Sequence, residues 1–121
     1  MSAAALESFV KLLVLDKEAS ATFYEALGFS RVGSDGTHVH LRFGAQGDVF
    51  LVGVPSGVNV EGRRGWGVLI SFTGDVDEVV KRAAALGAPT QGPEVKPWHT
   101  REVVVTDPDG YRLCFLEPAK E

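Results

Sequence analysis

A segment ending in Leu27-Gly28 recurs as one ending in Leu86-Gly87, 59 residues further on, and no other feature constrains the fold as tightly. Each segment opens on an aspartate. Asp16 leads Ala19, Phe23, Ala26 and Leu27 at helical spacing, and Asp75 leads Val76, Val79, Val80 and Ala83. An aspartate before an amphipathic run satisfies the free N–H groups of a helix start, and a glycine after it suits the left-handed cap. The spacing therefore predicts a helix over 17–27 and a second ending at 86. Gly47 and Pro55 recur as Gly110 and Pro118, both 63 residues on. Half a domain stated twice explains these offsets, because each half alone leaves one sheet face uncovered.

Strand signals fill the rest of each half. Phe9 to Leu15 is apolar except for Lys11, as expected of a strand buried on both faces. The turn signals Ser34-Asp35-Gly36 and Gly44-Ala45-Gln46-Gly47 divide the next stretch into strands near 29–33, 37–43 and 48–54. Pro55 to Gly65 is rich in breakers and reads as a connector. Beyond it, strands are expected over Trp66 to Thr73 and near 89–95, 101–106 and 111–117, the last two joined by Asp107-Pro108-Asp109-Gly110. The expectation is a single α+β domain. It has two tandem βαβββ modules, over 8–55 and 66–118 with a connector over 56–65, forming a cup-shaped mixed sheet with helices on the outer face.

At 121 residues the chain is long enough for one core and too short for two ordinary domains. The net charge is −4, and no basic run exceeds the pair Arg63-Arg64. Nucleic acid and anionic lipid are thus not expected partners. The single cysteine, Cys114, cannot form an internal disulfide. The N-terminus lacks a charged segment followed by a long apolar one, and no stretch is long enough to span a membrane. Together these favour a cytoplasmic location.

The run Asp16-Lys17-Glu18-Ala19-Ser20-Ala21-Thr22-Phe23-Tyr24-Glu25-Ala26-Leu27-Gly28-Phe29 resembles the first-helix signature of the vicinal-oxygen-chelate superfamily. Glyoxalases, extradiol dioxygenases, fosfomycin-resistance enzymes and bleomycin-resistance proteins belong to it. Asp107-Pro108-Asp109-Gly110-Tyr111 resembles its final hairpin, and Pro97-Trp98-His99-Thr100-Arg101-Glu102 is similar to bleomycin-resistance proteins in particular. The resemblance covers nearly the whole chain. It implies four metal-ligand positions, which alignment on Asp16 and Asp75 and on the two hairpins puts at Phe9, Val68, Leu51 and Cys114. Three of these offer no donor atom, and a lone thiol among apolar residues keeps its proton. No metal or other cofactor is expected.

Strand alternation places Lys11 and Leu13 with Phe9, Trp66, Ile70 and Phe72 with Val68, Val49 and Gly53 with Leu51, and Arg112 and Leu116 with Cys114. The family hairpin implies that Glu102, Val104 and Thr106 face inward as well. Lys11 and Glu102 either pair with each other, reach solvent at a dimer edge, or orient a ligand. Trp66 and Trp98 either pack or stack on a flat ring. His38 and His40 lie at strand spacing, a weak metal signal, and His40 is a candidate hydrogen-bond donor to a ligand. Cys114 has no base beside it by any local spacing and reads as a wall residue. The resulting expectation is a metal-free protein that binds an aromatic or amphipathic small molecule, sequestering an antibiotic or other natural product as a homodimer. The alternative is a lyase, isomerase or dioxygenase-like enzyme of the same fold, with a non-standard or absent metal site.

Overall fold

The structure, a computed structural model, describes residues 8–59, 65 and 67–120, and the chain divides into two compact units, residues 1–61 and 62–121. In the first unit the order is β1 (Val10–Val14), α1 (Lys17–Leu27), β2 (Ser30–Ser34), β3 (His38–Phe43) and β4 (Gly47–Gly53). The second repeats it with β5 (Ile70–Thr73), α2 (Val76–Leu86), β6 (Thr90–Val95), β7 (Thr100–Thr106) and β8 (Arg112–Pro118). The sheets have matching orders, β1-β4-β3-β2 and β5-β8-β7-β6. In each, the first strand runs parallel to the last and the remaining pairs are antiparallel. The fold is α+β, built from two βαβββ modules. Among the described residues no helix is long and apolar enough to cross a membrane.

Both helices begin and end where their caps allow. The Asp16 carboxylate accepts from the Ala19 N–H at 3.0 Å, and the Asp75 carboxylate accepts from the Glu78 N–H at 3.1 Å. Gly28 and Gly87 close the helices in the left-handed region, with φ of 117° and 67°.

In unit one, Ala21, Tyr24 and Leu27 of α1 are fully buried, as are Val39, Leu41, Val49 and Leu51 of β3 and β4. Leu12 lies beside Leu51, and Leu51 beside Val39, so these residues share the helix-covered face. Tyr24 meets Phe29 edge-on at 5.1 Å, and Phe29 continues to Phe43. Unit two buries Val76, Val79 and Ala83 of α2 together with Val103, Val105, Leu113 and Phe115. Phe72 stacks on Phe115 at 5.4 Å.

Three expectations need correction. Leu51 does not join the open face. It is fully buried on the helix side, and the open face of β4 carries Asp48, Phe50 and Val52. The cause is in the hairpins: Gly47 is already paired with Phe43 as the first residue of β4, whereas Gly110 lies inside its turn at φ 93°. Their equivalence by sequence therefore shifts the strand by one residue, which exchanges its faces. Ile70 and Phe72 are likewise on the helix side, paired with Leu113 and Phe115, and Ser71 and Thr73 take the open face. Finally, the strand expected from Trp66 begins only at Ile70. Gly65 and Gly67 have φ of 68° and 84°, and the Val68 N–H bonds back to the Gly65 carbonyl at 3.0 Å in a turn. Trp66 itself lies outside the described residues.

Candidate functional site

The face of the first sheet opposite α1 brings together Lys11 and Leu13 of β1, Asp48, Phe50 and Val52 of β4, and His38, His40 and Arg42 of β3. Phe9, just ahead of β1, adds its ring. Phe50 is the centre. His40 stacks on it at 4.2 Å and 15°, Phe9 leans against it at 4.8 Å, and His38 approaches at 5.3 Å. Around these rings lies a hollow of about 320 Å³ lined by Phe9, Lys11, Thr37, His38, Phe50 and Val52.

Behind the rings the polar groups satisfy one another. His40 Nε2 lies 2.7 Å from Asp48 Oδ1, and Arg42 Nε donates to the same oxygen at 2.8 Å. A carboxylate can only accept, so it fixes the imidazole proton on Nε2 and with it the orientation of the ring against Phe50. At the rim, Asp35 Oδ1 accepts from the Thr37 N–H and hydroxyl, both at 2.7 Å, and from the His38 N–H at 3.0 Å. These donors, the Thr37 N–H foremost, pull the Asp35 carboxyl down to about 2. Lys11 is exposed, and among the described residues it has no carboxylate partner within its unit.

On the second sheet, Glu102, Val104 and Thr106 of β7 share the open face with Leu116, Cys114 and Arg112 of β8, as expected. Glu102 is the most heavily bonded of these. Its Oε2 accepts from the Thr100 hydroxyl at 2.5 Å and from Trp98 Nε1 at 2.9 Å, and its Oε1 faces Cys114 Sγ at 3.4 Å. The Thr100 and Trp98 donors hold its carboxyl below the ordinary value. Burial, reinforced by the neighbouring carboxylate, pushes the Cys114 thiol up. Trp98 is tethered through its N–H yet remains 63% exposed. It stands in the tight connection where Lys96 N–H bonds the Thr100 carbonyl at 2.8 Å and His99 adopts φ 68°.

Of the residues singled out by sequence, the structure thus gathers Phe9, Lys11 and His40 around Phe50 in unit one, and Trp98, Glu102, Arg112 and Cys114 on one face of unit two. Val68 lies ahead of β5 and is 56% exposed. Phe50, Asp48, Thr37 and Val52 were missed, and Asp48 held the signal. A register that turns Leu51 outward drives a charged side chain against the helix, whereas the true register sets it beside His40 and Arg42. Catalytic members of this kind of fold hold a divalent metal with hard or borderline donors. With Phe50 in place of Leu51 and, by the same one-residue correction of β5, Leu69 in place of Val68, the corresponding positions carry Phe9, Phe50, Leu69 and Cys114, which offer one protonated thiol. That donor set does not fit a divalent ion. Among the described residues no three His, Cys, Asp or Glu side chains form a group that could hold one.

Residues 7–115 match the family described as Glyoxalase/Bleomycin resistance protein/Dioxygenase superfamily. No curated protein matches the chain. Among solved structures it is similar to a hypothetical protein, SA1046, from S. aureus, at 26% identity and a TM-score of 0.69 over 91% of each chain. It also shares its fold with a bleomycin-binding protein complexed with bleomycin, at 22% identity and a TM-score of 0.71 over 95% of this chain and 98% of that one. A bleomycin resistance determinant encoded on the transposon Tn5 gives 22% identity and a TM-score of 0.69, over 93% and 97%.

Proposed function

From a chain that belongs to the Glyoxalase/Bleomycin resistance protein/Dioxygenase superfamily and whose metal positions offer no donor beyond one protonated thiol, we propose a small-molecule binding protein that works without a metal. The observation that carries this reading is the hollow around Phe50. It is walled by rings, with Lys11, Thr37 and His38 supplying a few polar groups at its edge. An apolar concavity with sparse, fixed polar groups is the usual form of a small-molecule site. Aromatic neighbours at these separations attract a flat ring by about 0.5–1.5 kcal/mol each beyond the area they bury. Trp98, with its N–H fixed by Glu102 and its side chain exposed, offers a second stacking surface, beside the Glu102 carboxylate that also faces Cys114. Sequestration of an aromatic natural product is the specific version. A bleomycin-binding relative of the same fold, solved with bleomycin, supports the class of activity.

In unit two the side chains are poorly poised for acid or nucleophilic catalysis. Glu102, held in its ionised form, is a poor general acid near neutral pH, and a Cys114 thiol with its proton retained is a poor nucleophile. The test is amide chemical-shift mapping of the labelled protein against a panel of planar natural products. We expect shifts at Phe9, Lys11, Thr37, His38, Phe50 and Val52. If no compound of the panel moves those amides, the binding reading fails.

A further inference from the structure

We propose that the hollow of unit one selects a planar aromatic anion, such as a one- or two-ring carboxylic acid, with its ring on Phe50 and its charge on Lys11. The inference rests on the binding reading above and specifies the ligand for that same hollow.

Charge accounting within the hollow carries it. The ammonium of Lys11 is the formal charge among the lining residues, the others being Phe9, Thr37, His38, Phe50 and Val52. Nearby carboxylates are already engaged. Asp35 is bound by the Thr37 and His38 donors, and Asp48 is shared between His40 and Arg42. Neither carboxylate is among the residues that line the hollow, so neither presents its charge to a ligand held there. Lys11, by contrast, has no carboxylate partner to give up within its unit among the described residues. An incoming carboxylate gains a charge-assisted hydrogen bond at no such cost. The net charge of −4 over the whole chain does not reverse this local balance. Exposed charges more than about 8–10 Å apart are largely screened at physiological salt.

Shape narrows the choice further. The three rings gathered on Phe50 favour a flat partner. A volume of about 320 Å³ stands at the lower end of the roughly 300–1,000 Å³ range of small-molecule sites, which suits one or two fused rings.

Isothermal titration with three naphthalenes of one shape separates the possibilities: 2-naphthoate, 2-naphthalenemethanol and 2-naphthylmethylammonium. The naphthoate should bind roughly three- to tenfold more tightly than the alcohol, and the ammonium most weakly. Lys11→Met should erase the preference for the acid over the alcohol, and Lys11→Arg should keep it. Phe50→Ala should weaken all three. Equal binding of the three, tightest binding of the ammonium, or a preference that survives Lys11→Met would overturn the selectivity and leave the aromatic hollow standing. Failure of every naphthalene to bind would overturn the hollow as a site and the selectivity with it.

Discussion

Replacing Asp48 by alanine removes the one acceptor that serves both His40 and Arg42, and the structure sets the size of the loss. The side chains of Asp48, His40 and Arg42 are 5%, 8% and 18% exposed, so water can restore little of what the carboxylate supplies. A hydrogen bond to a charged group contributes about 1.5–3 kcal/mol, and removing one partner of a buried pair costs about 3–5 kcal/mol. Arg42 has a further interaction to fall back on, so the lower end applies. Asp48→Ala should destabilise the protein by about 3 kcal/mol. For a chain of 121 residues this corresponds to a fall in Tm of roughly 10 °C. Urea unfolding checks it, with the midpoint lowered and the slope unchanged. Asp48→Asn keeps an acceptor oxygen and should lose about half as much. The loss should also reach the hollow, because His40 would no longer be held at 4.2 Å against Phe50, and ligand affinity should fall with stability. An Asp48→Ala variant that loses less than about 1 kcal/mol would refute the claim that this carboxylate organises the face.

Other consequences follow from unit two. Gly92 has φ 90°, and a Cβ there would stand 2.8 Å from the Glu102 carbonyl oxygen. Gly92→Ala should therefore cost about 2 kcal/mol or more by urea unfolding. The folded state lowers the Glu102 pKa, so its contribution is present above the unfolded value and is lost as the pH falls through the folded one. The stability gap between the protein and Glu102→Gln should accordingly be larger at about pH 6 than at about pH 3. Burial of Cys114 should make its thiol react with a disulfide reagent at least roughly tenfold more slowly in the native protein than in urea. Equal rates would contradict its placement.

The parts of the fold legible in the sequence are those in which short-range chemistry decides. Asp16 and Gly28, and Asp75 and Gly87, mark helix ends by hydrogen bonds and backbone angles that act within a few residues. The open face of β8 was legible for a similar reason, since the turn from Asp107 to Gly110 fixes how the chain enters it. The Asp107 carboxylate accepts from the Asp109 and Tyr111 N–H groups at 2.9 and 2.8 Å. Strand parity in β4 and β5 was not legible. Glycines that look alike in sequence, Gly47 and Gly110, sit at different places in their hairpins, and one residue of slip exchanges Leu51 for Phe50. Once the register is known, the alternation Asp48, Phe50, Val52 against His38, His40, Arg42 reads as a single face. The tethering of Trp98 to Glu102 depends on a tight connection whose geometry the residues Pro97 and His99 do not announce by themselves.

The claim on which the account turns is binding without a metal, and elemental analysis of the protein purified from metal-replete medium without chelators tests it most directly. Phe9, Phe50 and Leu69 carry no donor atom, and Cys114 holds its proton, so only trace amounts of zinc, nickel, iron and manganese are expected. A divalent ion held tightly by every chain would contradict it.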